Sequence, residues 1–423
     1  MKLHLCLFLA CAGLITAQDK RQDNKDKGAL PKNVLCFVET FTLTKTDYSM
    51  LLDAPQGRAK LHENVEAAVK AGTARLDGCH QILTQSGTHS RAEGVDELIY
   101  VTHWGDADST GFQYPEAFEM QPLGDLFEVE PILYEESGLL DLNQCFSRDH
   151  FQGLRLCKAD RTLTAVPVAE FFQQKGQSGC RVVPGFPTLL STLNDAPPGA
   201  ITLVFATAQV LPLAAPKAPV PKGSGTLRMT TRVISLNRTK GWRLLKKHAA
   251  DGAACLAELK PLLAAQEAVL EHVSTTCTVP GQRAAYESGE IYTYGTERDL
   301  RLHNPLNQPV QGVPAGREPM DLESRTLGFR VDHEPKLAEN PAFAQMPVTV
   351  SCVRMTGNLK DKNWSERYPE QPVFSSQTLS TEYTQVIGSN TLVGTLNPPG
   401  DTGVNGHKDE CRMWLLFMEM NAP

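Results

Sequence analysis

A seven-residue stretch occurs twice in this chain, and self-similarity at a fixed spacing restricts the fold more than any local propensity does. Thr188 to Asn194 reads TLLSTLN and Thr391 to Asn397 reads TLVGTLN, 203 residues later. A glycine stands three residues ahead of each, Gly185 and Gly388, and a proline-rich turn follows each. Upstream, Thr73 to Thr102 lies over Glu267 to Thr296 at an offset of 194, pairing Leu76 with Leu270, Gly87 with Gly281, Glu93 with Glu287 and Tyr100 with Tyr294. The chain therefore reads as two diverged copies of one unit.

Each copy opens on a strand. Val34 to Thr46 is rich in Val, Phe and Thr, and Leu227 to Thr239 is its counterpart at an offset of 193. Leu61, Val65 and Val69 then recur at helical spacing. In the second copy Cys255, Leu259 and Leu263 carry the stripe and Pro261 interrupts it. A helix-interior proline costs about 3 kcal/mol, which predicts a break or restart there. Two strands joined by a turn follow each helix, with turn glycines Gly87 and Gly281. Leu126 to Leu133 matches Leu327 to Val331, and Leu139 to Cys145 lies over Met346 to Cys352. Ile201 to Leu211 and Met413 to Met420 close the copies, and the first is apolar on both faces, as a doubly covered central strand should be. Within the repeated stretch Leu189 with Leu193, and Leu392 with Leu396, fall at even spacing, which predicts each pair on one face of a buried strand; Thr192 and Thr395 share the opposite parity with Thr188 and Thr391. The fold class expected is α+β, mainly β, as two tandem β-rich domains with one or two helices each.

Residues 1–17 form a lysine-led apolar run ending in small residues, the pattern of a signal peptide. The charged segment 18–32 reads as disordered. The first domain spans 33–211, a proline- and alanine-rich linker 212–225, and the second domain 226–423. Export permits disulfides. Of eleven cysteines two lie in the leader, leaving Cys36, Cys79, Cys145, Cys157, Cys180, Cys255, Cys277, Cys352 and Cys411. Cys145 with Cys157 and Cys255 with Cys277 are candidate local bridges, buried thiols being the competing reading. Cys145 and Cys352 alone fall at roughly equivalent places in the copies.

The formal charge is −7 with acids and bases intermixed, which gives nucleic acid no reason to bind. A nucleophile elbow, a phosphate-cradling glycine loop and a His-Glu-x-x-His helix are all missing, so no catalytic residue and no cofactor is expected. Asp106 and Asp108 could offer oxygens to calcium, but the six to eight ligands that ion takes are not in view, and a solvated turn is the stronger reading. The histidines, among them His62, His80, His150, His272, His303, His333 and His407, lack ligand spacing, so no metal site is expected.

The order of these motifs resembles the core domain of bacterial secretins, the ring-forming outer-membrane channels of type II and type III secretion. The resemblance rests on ARL…TxSGxxxxAE, an acidic strand ending in tyrosine, VEP, GxxTLLSTL and a closing LVFAT. Gly185, Thr188, Leu189, Thr192 and Leu193, with Gly388, Thr391, Leu392, Gly394 and Leu396, match the family's glycine-started strand signature, and Leu203 to Thr207 and Leu415 to Glu419 its last strand. The family's small-residue pair is replaced here by Ser191-Thr192 and Gly394-Thr395, and its separate periplasmic modules are absent. The resemblance implies an exported protein of the periplasm or outer membrane, a non-catalytic part of a secretion channel or its collar. Its partners would be other envelope proteins or further copies through the β-domains, with membrane association left open. The alternative is a soluble exported scaffold or binding module that kept the fold without a pore. Aromatic residues make up 7% of the chain and no strand delimited here alternates between aromatic belts, which favours that alternative.

Overall fold

The computed structural model describes residues 30–54, 56–57, 59–105, 113, 115–158, 165–194, 199–214, 225–298, 319–359, 371–400, 402–404 and 411–422. The signal peptide, most of the charged segment and linker, the Asp106 and Asp108 loop, His303 and His407 lie outside them. The N-terminal half runs β1 (Lys32–Thr44), α1 (Lys45–Asp53), α2 (Leu61–Ala71), β2 (Arg75–Thr84), β3 (Ser90–Trp104), β4 (Pro115–Tyr134), β5 (Leu139–Cys157), β6 (Val166–Val182), β7 (Thr188–Asn194) and β8 (Ala200–Pro212). The C-terminal half runs β9 (Leu227–Asn237), α3 (Arg238–His248), α4 (Gly252–Ala264), β10 (Ala268–Thr278), β11 (Ala284–Arg298), β12 (Pro319–His333), the short β13 (Lys336–Leu337), β14 (Phe343–Asn358), β15 (Pro372–Val386), β16 (Asn390–Thr395) and β17 (Arg412–Asn421).

Two antiparallel sheets face each other. The first has the order β10-β9-β17-β16-β2-β1-β8-β7, and the second β11-β12-β14-β15-β3-β4-β5-β6 with β13 beside β14. Each order is a run of four C-terminal strands followed by a run of four N-terminal strands in the same internal sequence. The registers agree as well: Val34 pairs with Thr84 and Leu227 with Thr278, Ser90 with Val129 and Ala284 with His333, Thr188 with Ala206 and Thr391 with Met418. A register shift between Leu189 and Ser191 recurs between Leu392 and Gly394, and one between Phe151 and Gly153 recurs between Met355 and Gly357.

Alternation explains the layers. Val34, Cys36 and Val38 of β1 enter the core between the sheets with Phe127, Phe146, Tyr383 and Trp414, while Phe37, Phe41 and Leu43 enter a second core under the helices with Val65, Trp242, Leu259 and Phe417. The helices thus cover the outer face of the first sheet. The strands of the second sheet run past it, and there β11 makes one further pair with β4, Glu297 with Ala117, around Ile99, Phe118, Tyr294 and Phe374.

Several sequence expectations change. The strand expected to reach Thr46 stops at Thr44, whose hydroxyl caps α1 by accepting from the Asp47 N–H at 3.0 Å; Asn237 caps α3 in the same way. The strands flanking Gly87 and Gly281 do not pair as hairpins: each turn carries the chain from one sheet to the other. These glycines adopt φ of +75° and +77°, and their N–H groups bond Pro131 O and Pro335 O at 2.7 Å. Helix α4 runs through Pro261, which lies in its last turn and still accepts from the Ala265 N–H at 3.0 Å, so little helix remains to be broken. Leu189 and Leu392 pack under the helices while Leu193 and Leu396 lie between the sheets, because the bulge inside each stretch flips the pleat. Cys145 pairs with Glu128 and Thr349 with Asp332 at matching register, so Cys145 corresponds to Thr349 and not to Cys352. Cys157 and Cys277 are thiols, and neither local bridge forms.

Candidate assembly interface

The seam between the halves is built from the repeated stretch. β16 meets β2 through a single pair, Gly394 with Ile82, and β15 meets β3 from Val373–Leu98 to Ser380–Arg91. A Cβ at Gly394 would collide with the Gln81 carbonyl oxygen, so only glycine permits that approach. Beyond it the Thr395 hydroxyl accepts from the Gln81 N–H at 3.0 Å, and the Asn397 amide donates to Cys79 O. Asn33 exchanges two bonds of 2.8 Å with the Thr384 backbone, and Thr381 donates to Leu83 O at 2.6 Å.

Where β16 leaves β2, α3 fills the wedge and carries a polar latch. Glu39 of β1 is 1% exposed. Its carboxylate accepts from Trp242 Nε1 at 2.5 Å, lies 2.7 Å from His62 Nε2 and 3.3 Å from Lys246 Nζ, and Lys246 also pairs with Glu66. Burial pushes the Glu39 carboxyl up, but the bonds from His62 and Trp242 and the nearby charges of His62 and Lys246 outweigh it and hold the group below the ordinary glutamate value. Ligand atoms of Glu39, His62 and Glu66 fall within 4.8 Å of one another, a spacing that could hold a cation. The Lys246 ammonium is that cation, and its ring contact with Trp242, 4.9 Å from the centroid, fixes it further.

The outer edges carry the same elements without the partner. β6 and β7 occupy the places of β15 and β16, and β10 and β11 those of β2 and β3. Thr395 and Leu396 are buried, whereas Thr192 is exposed and Leu193 is buried on the edge strand. β2 is almost wholly buried, but on β10 Val269, Leu270 and Val273 are 43%, 47% and 53% exposed, and Ile291 on β11 reaches 74%. An exposed strand edge with apolar side chains is a template for pairing with another chain.

The signature residues divide accordingly. Thr391, Leu392 and Gly394 lie on β16 inside a sheet with Leu396 just past its end, while Thr188, Leu189, Thr192 and Leu193 lie on the edge strand β7. Gly185 and Gly388, with φ of +83° and +84°, bond Ala208 O and Met420 O at 2.7 Å and start the two strands identically. The sequence reading missed Glu39, Trp242 and Lys246. Their signal was asymmetry: Trp242 and Lys246 align with Ser49 and Asp53, so what differs between the copies marks what the seam needs.

On the far face of the second sheet, Arg91 pairs with Glu93 at 2.8 Å, Arg181 with Asp141 at 2.7 Å and Arg283 with Asp332, amid Thr349, Ser351, Thr378 and Ser380. Such a surface suits water or an aqueous lumen and not hydrocarbon. Among the described residues no helix is long and apolar enough to cross a membrane.

No family model and no curated protein matches the chain. Among solved structures, the InvG secretin domain β-barrel of the Salmonella SPI-1 injectisome aligns over 56% of this chain and 74% of its own, at 10% identity and a TM-score of 0.23. The type II secretion system secretin GspD of E. coli K12 aligns over 43% of this chain and 50% of its own, at 13% identity and a TM-score of 0.18. Scores of that size do not establish a common fold.

Proposed function

We propose that the chain comprises two tandem copies of a secretin-like unit and works, without catalysis, as an exported building block of an envelope secretion channel or its collar. Matching strand orders and bulges in the halves support the tandem reading, and the resemblance of the repeated signature supports the class. The observation that carries assembly is the edge relationship: β6 and β7 of one chain are equivalent to the strands that, inside the chain, pair with the equivalents of β10 and β11. Such contacts are heterologous, and they generate closed rings or open filaments from further copies. Periplasm or outer membrane is the matching location.

Sedimentation of the purified mature chain, with electron microscopy of the largest species, tests this reading. Concentration-dependent multimers that grow as arcs or rings are expected. A monomer throughout the micromolar range would contradict it.

One observation favours a soluble scaffold or binding module instead. The Glu297–Ala117 pair closes part of the second sheet on itself and satisfies the end of β11 without a partner chain. A detergent-free monomer in the soluble fraction would decide for that reading.

A further inference from the structure

The internal seam is held by a cation from the C-terminal half, Lys246, set against two carboxylates of the N-terminal half, Glu39 and Glu66. The outer edges carry the corresponding positions. The offset of 193 relating β1 to β9 and α1 to α3 places Asp53 where Lys246 stands and Arg232 where Glu39 stands. The buried stripes of α2 and α4, Leu61 with Cys255 and Val65 with Leu259, set an offset of 194 and place Lys260 where Glu66 stands. The charge is inverted at all three positions. Asp53 and Lys260 are exposed, and Arg232 is half-buried with its guanidinium 3.1 Å from Asn390 and 3.0 Å from Glu419.

We propose, building on the assembly reading above, that this is a second latch of reversed polarity: Asp53 on the β6–β7 edge of one chain meets Arg232 and Lys260 on the β10–β11 edge of the next. Its partner is another copy of this chain. The inversion fixes the order of halves. An N-terminal edge offered to a second N-terminal half would set Asp53 against Glu39 and Glu66, and a C-terminal half offered to another would set Lys246 against Arg232 and Lys260. Like charges repel in both cases, while the alternating order brings opposite charges together at every seam. Ser49, standing where Trp242 fills the internal wedge, leaves the outer latch wetter and separable.

The test uses the mature chain and three variants, Asp53→Lys, Lys260→Glu and the two combined, all at exposed helix positions where folding is spared; circular dichroism checks this. Self-association is measured by sedimentation at low and at high salt. Asp53→Lys should weaken assembly by about two- to fivefold at low salt, within the range of single charge contacts, and less at high salt as the repulsion is screened. The combined variant should recover part of the association, because positions 53 and 260 again carry opposite signs across the contact while Arg232 keeps its charge. Wild-type multimers that all variants form equally well would overturn the latch and leave the assembly reading standing. A wild-type chain that stays monomeric would overturn both.

Discussion

Lys246 Nζ lies 3.3 Å from Glu39 Oε1, a contact between the two halves of the chain at a carboxylate almost shut off from water. Removing the cation leaves that carboxylate buried. Lys246→Met should cost about 3 kcal/mol, the low end for breaking a buried pair, because His62 and Trp242 still bond Glu39. The pH dependence follows from the lowered Glu39 value. An acid whose folded pKa lies below its unfolded value of about 4.3 adds stability above that pH and loses it as pH falls through the folded value. Thermal melts between pH 7 and pH 3 should therefore decline more steeply in the wild type than in Glu39→Gln. Parallel declines would remove Glu39 from the account.

Leu396 is fully buried beside Trp414 O, which accepts its N–H at 2.9 Å, while Leu193 is buried at the edge. Alanine at either position should lower the urea midpoint, at a cost of about 2 to 5 kcal/mol, with Leu396→Ala the more severe. Equal, negligible effects would mean that neither strand is packed.

Valine in place of threonine separates fold from assembly. Thr395→Val strands the buried Gln81 N–H and should cost about 1 to 3 kcal/mol. Thr192→Val, on the exposed edge, should leave the melt within about 0.5 kcal/mol and weaken only self-association. The idea fails if both variants melt alike.

Thiol chemistry reports on the same edge. Burial pushes the Cys36 thiol up to about 12, as burial with Glu258 and Asp251 does for Cys255, whereas Cys277 and Cys411 are exposed. Maleimide at pH 8 should label Cys277 and Cys411 first and reach Cys36 and Cys255 only after unfolding. Cys277 takes the place of Leu83, which the seam buries, so its labelling should slow as protein concentration rises while that of Cys411 does not. Mass spectrometry showing both rates independent of concentration would count against edge pairing.

Much of this architecture could be read from the chain. The offset of 193 to 194 set the register of β1, β2 and β3 against β9, β10 and β11, because turn glycines and alternating apolar residues fix strand phase locally. What the pattern missed was nonlocal. Whether the strands flanking Gly87 pair with each other or join different sheets depends on β16 and β15, some 300 residues away. The bulge between Leu189 and Ser191 leaves no mark in a seven-residue stretch, so parity counting put Leu189 and Leu193 on one face. The latch escaped because motif search looks for what two copies share, and Glu39, Trp242 and Lys246 matter where the copies differ.

The central claim is that outer edges pair as the seam does, and its register is specific. Ser380 faces Arg91 across the seam, so Gln177 of one chain should face Ala285 of the next. Facing residues on antiparallel strands stand about 4.5 to 5.5 Å apart at Cα, within disulfide reach. With Cys277 and Cys411 replaced by serine, mild oxidation of Gln177→Cys mixed with Ala285→Cys should give a covalent dimer, and the double variant a ladder of multimers. No dimer from the mixture, or dimers of either single variant with itself, would contradict the account.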